Sequence, residues 1–379
     1  MNVPKLRFKE FDNLWQNEKL EDAVEFLDEK RKPIKDSDRN NIKGEYPYYG
    51  ASGIIDYIND YIFDEDLLLL GEDGANILSR STKLVFKATG KYWVNNHAHV
   101  LKPKENYNID FLESYLENIN YESYNTGTAQ PKLNQEVCKK INIKIPSLKE
   151  QEKIGKTLSL LDKKIELQSK KIEDLKLFKK GLLILKFSNK VKNIKLEEII
   201  KKGKAGGTPK STVQKYYDGT IPFLSISDIS SQNKYIKHTE KCISEEGLKN
   251  SSTWLVPKNS IILSMYASYG LSCINKIELA TSQAMYSMIF KDDIDVEFIY
   301  YYLYYLQQIN YYDRLVSTGT QSNLNAEKVN KIKIYCPNYD IQKNISKLFV
   351  SCDRKILLEE NKLLKLQELK KGLMQSMFV

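Results

Sequence analysis

SLKEQEKIGKTLSLLDKKIELQSKKIEDLKLFKKGLLILKF, residues 147–187, decides the fold. Its apolar residues fall at alternating steps of four and three: Ile154, Leu158, Leu161 and Ile165, then Ile172, Leu175 and Leu182. Gln168 and Lys179 fill two places in the same series. Steps averaging about 3.5 residues draw the narrow seam of a coiled coil rather than the broad face of a globular helix. Pro146 precedes the stretch and Ser147 stands at its N-cap, with Glu150 three residues on, which predicts a capping box. About 40 residues at about 1.5 Å each make a helix of about 60 Å, so the segment predicts a ruler between two bodies.

The seam is written twice. Ile345, Phe349, Cys352, Ile356, Glu359, Leu363, Leu366, Lys370 and Leu373 repeat it at a constant offset of 191 residues. Between 141–187 and 332–378, 17 of the 47 paired positions are identical. They include Pro146/Pro337, Gln151/Gln342, Asp162/Asp353 and the block KKGL at 179–182 and 370–373. Just upstream, NTGTAQPKLN (125–134) returns as STGTQSNLN (317–325) with one residue lost. A period near half the chain predicts a duplicated domain, being far too long for a solenoid. Both seams turn polar at the same places, Gln168/Glu359 and Lys179/Lys370. In an antiparallel pair, Gln168 and Glu359 would meet near the midpoints and fix register; otherwise such positions mark seam segments against water or other elements.

The 379 residues, 41% hydrophobic, suffice for two ordinary cores. The net charge of +9 suits a polyanionic partner such as nucleic acid, and equally a moderately basic globular protein. Five scattered cysteines without a CxxC pair predict reduced thiols rather than disulfides or a zinc knuckle. The N-terminus lacks an apolar h-region and no apolar run approaches membrane-spanning length, which predicts a cytoplasmic protein.

Each body reads as mixed α and β. LLLLG (67–71), KLVFKA (83–88) and AHVLKP (98–103) predict strands before a helix at 109–119; SIILSMY (260–266) and AMYSMIF (284–290) predict strands before a helix at 296–309. The run YYYLYY (300–305) predicts the packing face of that last helix. No catalytic signature is present: there is no [DNS]PP[YFW] motif to hold an exocyclic amine and no GxxxxGK[ST] spacing for ATP. LGEDGANI (70–77) reads as a tight turn. His97 and His99 share a strand face without a third metal ligand, so they read as hydrogen-bonded histidines.

What remains is a set of polar, glycine-rich segments on each body, rich in the donors that meet phosphates and base edges. In the first body the candidates are Lys43, Tyr48, Tyr49 and Ser52 of KGEYPYYGASG (43–53), Asn76 of GANI (74–77), and Asn95 and Asn96 of NNH (95–97). Thr126, Thr128, Gln130 and Lys132 of NTGTAQPK (125–132) complete that set. In the second they are Lys204, Thr208, Lys210 and Ser211 of GKAGGTPKS (203–211), and Ser225 and Ser227 of SISDIS (225–230). Tyr266 and Tyr269 of YASYG (266–270), Gln283 of TSQ (281–283), and Thr318, Thr320 and Gln321 of STGTQSN (317–323) complete the second set.

PKLRFKEFDNLW (4–15), YPYYGASGIIDYINDYIF (46–63), LLLLGEDGAN (67–76), GGTPKS (206–211) and YYDGTIPFLSISDI (216–229) add a further signature. Together with the boundary series Pro146, Gln151, Ile154, Asp162, Ile165 and its copy Pro337, Gln342, Ile345, Asp353, Ile356, they cover essentially the whole chain. The combination resembles the specificity subunit of a Type I DNA restriction-modification system, a host defence against foreign DNA. The resemblance implies an α+β fold with two target recognition domains, 1–145 and 191–336. Two conserved spacer helices, 146–190 and 337–379, would pair as an antiparallel coiled coil in a pseudo-twofold internal repeat. Each recognition domain would read one half of a bipartite, asymmetric double-stranded DNA target, while the helices set the spacer and dock two methyltransferase subunits. Restriction/translocase subunits would join that core. The chain itself would be non-catalytic and bind no cofactor, S-adenosylmethionine, ATP and magnesium belonging to the partners. The competing readings are a coiled-coil interaction protein unrelated to DNA and a self-sufficient DNA-modifying enzyme.

Overall fold

The computed structural model describes residues 3–266, 268–316 and 324–378. They fall into two compact units, Met1–Lys170 with Glu360–Val379, and Lys171–Glu359. Both divisions cut through the long helices Leu148–Phe187 and Tyr339–Met377, so each unit owns half of each helix.

In the first unit the run Leu67–Gly71 is a strand buried throughout. Leu68 and Leu70 pack with Trp15, Phe111 and Leu112, whereas Leu67 and Leu69 pack with Phe63, Tyr92 and Val94. The two-residue period of a strand thus places it between two half-cores. It belongs to an antiparallel sheet ordered Val24–Phe26, Ala98–Pro103, Leu67–Gly71, Val85–Ala88. A second sheet runs Gly53–Ile58, Lys43–Gly50, Lys91–Val94, Phe63–Asp64. Helix Ile109–Asn118 begins where the Asn108 side chain accepts the Phe111 N–H at 2.9 Å.

The second unit uses the same logic with other strands. Ile261–Ser264 is buried throughout; Ile261 and Leu263 share a core with helix Val296–Gln308, and Ile262 packs with Leu224 and Ile229. Its five-stranded sheet is ordered Ile200–Ala205, Met285–Phe290, Ile261–Ser264, Ser272–Asn275, Tyr235–Ile236. A three-stranded sheet runs Lys241–Ile243, Ile221–Leu224, Ala280–Thr281. Tyr300, Tyr301, Tyr302 and Tyr305 are buried, so the tyrosine run is indeed a packing face.

The seam lies where the spacing puts it. Every seam position from Ile154 to Leu182 and from Ile345 to Leu373 is buried or half-buried. Leu160, Leu167, Leu177, Leu357, Leu364 and Leu369, off the seam, are each more than half exposed. In the second unit Lys171 meets Glu359 at 3.0 Å and Lys179 meets Asp353 at 2.5 Å, so advancing along one helix retreats along the other. In the first unit Lys370 meets Asp162 at 2.5 Å, and Ile154 and Leu158 share a core with Met377 and Phe378. The helices are antiparallel in both. The seam lysines are therefore one ion pair written twice.

Two further repeated residues now have roles. Gln151 accepts the Asn108 N–H at 2.9 Å and donates to the Pro146 carbonyl at 3.0 Å. Gln342 does the same for Asp295 N–H at 2.9 Å and Pro337 carbonyl at 2.8 Å. Each glutamine is 1% exposed and ties a long helix to the cap of its body's helix. Replacing either by leucine strands a buried donor and a buried acceptor, an expected loss of about 2–3 kcal/mol in denaturant unfolding. A loss in one copy alone would show that the two joints are not equivalent.

The expected capping box at Ser147 is replaced by something stronger. Arg7 donates from Nε and Nη2 to the two oxygens of Glu150, each at 2.8 Å, and Glu150 is 1% exposed. A bidentate guanidinium outcompetes a single backbone N–H. The repeat also reaches further upstream than the 191-residue offset reveals. Lys19-Leu20-Glu21-Asp22 and Lys195-Leu196-Glu197-Glu198 follow short strands that pair with Asn142–Ile145 and Lys333–Ile334. In each, the lysine N–H donates to the acid three residues on, at 3.0 and 2.8 Å. Among the described residues no helix is long and apolar enough to cross a membrane.

Candidate nucleic-acid interface

The four candidate segments of the first unit converge. Gly71 closes its strand so near Ala51 that a Cβ would lie 2.6 Å from the Ala51 carbonyl oxygen, bringing the tip of KGEYPYYGASG against the turn after Leu67–Gly71. Asn95 N–H donates to Tyr49 O at 3.0 Å, and the Asn95 side chain accepts His97 N–H at 2.8 Å. Glu72 N–H donates to His97 O at 2.8 Å; Leu133 N–H donates to Glu72 O at 2.7 Å and Gly74 N–H to Pro131 O at 3.0 Å. The loop at 125–132 is closed by Asn125, whose side chain accepts the N–H groups of Gly127 and Lys132 at 3.0 and 2.8 Å.

Beneath these loops lies a charge cluster that the sequence reading did not foresee. His99, 1% exposed, has Nδ1 2.6 Å from Asp28 and Nε2 2.8 Å from Leu133 O. A carboxylate and a carbonyl are both acceptors, so both ring nitrogens donate and the imidazole is a cation. Burial opposes that charge, but the bond to the Asp28 carboxylate, together with Cys138 beside the ring, outweighs it and raises the His99 pKa to about 10. Asp28 is held below the ordinary carboxylate value against its own burial, chiefly by His99. Arg31 donates to Glu72 at 2.7 Å, and Lys132 approaches Glu72 at 3.3 Å. His97 bonds Asp73 at 2.7 Å, so both histidines are satisfied. Among the described residues no group of three or more His, Cys, Asp or Glu is placed to hold a metal.

The candidates divide by accessibility. Ser52, Asn96, Thr126, Thr128, Gln130 and Lys132 are exposed. Tyr48 is 1% exposed, its hydroxyl accepts Ile34 N–H at 2.9 Å, and Arg39 lies 5.1 Å over its ring. Tyr49 is half-buried between Phe86 and Tyr92, Asn95 is 5% exposed, and Asn76 bonds the backbone of Thr82. These four support the loops from behind, whereas Lys43 is exposed and pairs with Asp56.

In the second unit Gly206 and Gly207 approach Thr281 and Ser252 so closely that added Cβ atoms would sit 2.0 and 2.1 Å from Thr281 O and Ser252 Oγ. That contact sets Thr208 Oγ1 2.5 Å from Gln283 Oε1. Met265 N–H donates to Ala284 O at 2.8 Å, which places Tyr266 beside the same edge. SISDIS is a helix start rather than a loop. Ser225 and Asp228 form a reciprocal capping box at 2.8 and 3.3 Å that opens helix Ile226–Gln232, a signal legible as S-x-x-D. Lys204, Thr208, Lys210, Ser211, Ser227, Tyr266 and Gln283 are exposed; Tyr269 donates to Asp313 at 2.9 Å. Thr318, Thr320 and Gln321 lie outside the described residues.

Residues 13–177 and 188–368 each match the family model of the Type I restriction modification DNA specificity domain. The chain belongs to that family. Each match takes in one body and most of the long helix after it, so the repeat is two copies of the specificity domain. The HindI specificity subunit of Haemophilus influenzae, from a Type I restriction enzyme, is 30% identical over 168 residues, 43% of this chain and 36% of that one. The chain spans about a third of the length of such curated relatives. The crystal structure of a Type I restriction-modification S subunit from M. genitalium superposes with a TM-score of 0.67 at 17% identity, over 100% of this chain and 99% of that one. A chain from a structure addressing complex assembly and conformational transition of the Type I system gives 0.58 at 14% identity, over 95% and 96%. Those two likenesses are of fold. Specificity rather than catalysis is what this family contributes to a Type I system.

Proposed function

We propose that this specificity-family chain reads a bipartite, asymmetric double-stranded DNA target, with residues 1–145 and 191–336 each contacting one half-site. The helices within 146–190 and 337–379 set the unread spacer and dock two methyltransferase subunits, and restriction/translocase subunits join the assembly. S-adenosylmethionine, ATP and magnesium act on those partners. The observation that carries this reading is the family match occurring twice on one chain, each copy bearing its own exposed polar and lysine side chains on the candidate segments. Polar side chains and backbone N–H groups of this kind position phosphates and read base edges. In the first unit the readers are Ser52, Asn96, Thr126, Thr128, Gln130 and Lys132. In the second they are Lys204, Thr208, Lys210, Ser211, Ser227, Tyr266 and Gln283.

Methylome sequencing of a host with and without the gene tests this directly. One interrupted motif, methylated only when the chain is present, is expected; an uninterrupted motif or no change would overturn the reading. The lysines among the readers add a counterion-release term, so the logarithm of affinity of the assembled complex should fall linearly with the logarithm of salt concentration. Binding that held constant from low to high salt would remove phosphate contact from the account.

A further inference from the structure

The duplicated aspartates Asp162 and Asp353 each divide their two oxygens between different parts of the fold. Asp162 Oδ1 meets Lys370 of the opposite long helix at 2.5 Å, and its Oδ2 meets Lys83 of the body at 3.2 Å. Asp353 Oδ1 meets Lys179 of the opposite long helix at 2.5 Å, and its Oδ2 accepts from the Tyr301 hydroxyl at 2.5 Å, with Lys234 of the body 3.9 Å away. Each body lysine is held in turn by a carboxylate on the body's own helix, Lys83 by Glu113 at 3.2 Å and Lys234 by Glu297 at 2.5 Å.

The aspartate and the seam lysine are copied with the helices, both at the offset of 191. The body lysine is not: Lys83 precedes strand Val85–Ala88, and Lys234 precedes strand Tyr235–Ile236, positions that the repeat does not relate. Two bodies that have diverged in sequence thus bring a lysine to the same carboxylate oxygen by different routes. Asp162 and Asp353 are 29% and 31% exposed, and ion pairs so open to water contribute little to stability. Each carboxylate, anchored on both sides, nevertheless ties its body to the helix pair at a further defined point beside the buried glutamine joint.

We propose that Asp162 and Asp353 are positioning residues that orient each recognition body on its helix pair and thereby restrict the complex to a single spacer length. The inference rests on the proposed reading of a bipartite target. The test is the methylated motif of the reconstituted complex carrying Asp162→Asn, Asp353→Asn, Lys83→Met or Lys83→Arg. With either asparagine or with Lys83→Met, methylation is expected to spread to spacers one base pair longer and shorter, at several-fold reduced preference for the native spacer. The half-site bases should be unchanged, and Lys83→Arg should restore the single spacer. Melting temperatures should stay close to the wild type, whereas a merely structural role would lower them and leave the spacer preference intact. If Asp162→Asn fails to assemble, Lys83→Met, which leaves the helix-to-helix pair in place, decides for the first body. Strict wild-type spacing in all the variants would overturn this proposal alone. Absence of any interrupted motif with the wild-type complex would overturn the recognition reading and this proposal with it.

Discussion

Replacing His99 by leucine is expected to destabilise the first unit by about 3 kcal/mol or more, the usual consequence of removing one member of a buried charge pair. The imidazolium is bonded to Asp28 and to the Leu133 carbonyl, so the substitution uncouples the loop base at 133 from strand Ala98–Pro103 as well as leaving Asp28 short of a cation. Its pH signature has a definite sign. The folded pKa of about 10 stands above the unfolded value of about 6.5. The contribution is therefore complete below about pH 6.5 and is lost as pH rises through the folded value near 10. Asp28 is shifted the opposite way, so its contribution is present above its ordinary pKa and is lost as pH falls. Denaturant unfolding from pH 5 to pH 10 should show a declining limb in the wild-type protein that the leucine variant lacks. Equal slopes in the two would show that His99 is neutral in the fold.

Lengthening both long helices by seven residues, between Ile165 and Ile172 and between Ile356 and Leu363, is expected to lengthen the unread spacer by up to about three base pairs. The estimate follows from about 10.5 Å of added helix against about 3.4 Å per base pair. Asp162 to Lys179 and Asp353 to Lys370 are equal stretches of helix, and their ends are joined crosswise as Asp162–Lys370 and Lys179–Asp353. Insertion into one helix alone cannot keep the whole seam in register on both sides of the insertion, so it should abolish methylation. A two-residue insertion into both should do the same by rotating the seam out of register. The measurement is the methylated motif of each variant; altered half-site bases at an unchanged spacer would make the helices readers rather than rulers.

Much of this architecture was legible in the sequence because its determinants are periodic or repeated. The seam from Ile154 to Leu182 follows from spacing alone, and LLLLG at 67–71 announced a strand, whose burial on both faces only the structure shows. The antiparallel pairing became concrete only when Lys179 and Lys370, unexplained as polar seam residues, were seen to meet Asp353 and Asp162. The cluster of His99, Asp28, Arg31 and Glu72 left no trace in the sequence, because its members come from three segments, and the i,i+3 step from Asp28 to Arg31 does not reveal the distant His99 and Glu72. The candidate interface was half legible. Glycine-rich polar segments marked loops that the first unit brings together, but whether a side chain such as Tyr48 or Thr128 faces inward or outward depends on packing partners distant in sequence.

The discontinuous first unit has a bearing on how the chain is made. Lys171–Glu359 is one uninterrupted segment, made before Glu360–Val379. The unit that begins at the N-terminus has to wait for Glu360–Val379, whose Phe378 stacks edge-on against Phe111 at 5.8 Å and Tyr115 at 5.3 Å. Synthesis order and completion order are therefore inverted: the body translated first is the one finished last. Phe111 and Tyr115 therefore cannot gain their contact with Phe378 until the segment after Glu359 has been made, and a change in that segment acts on the body translated first rather than on the one it follows.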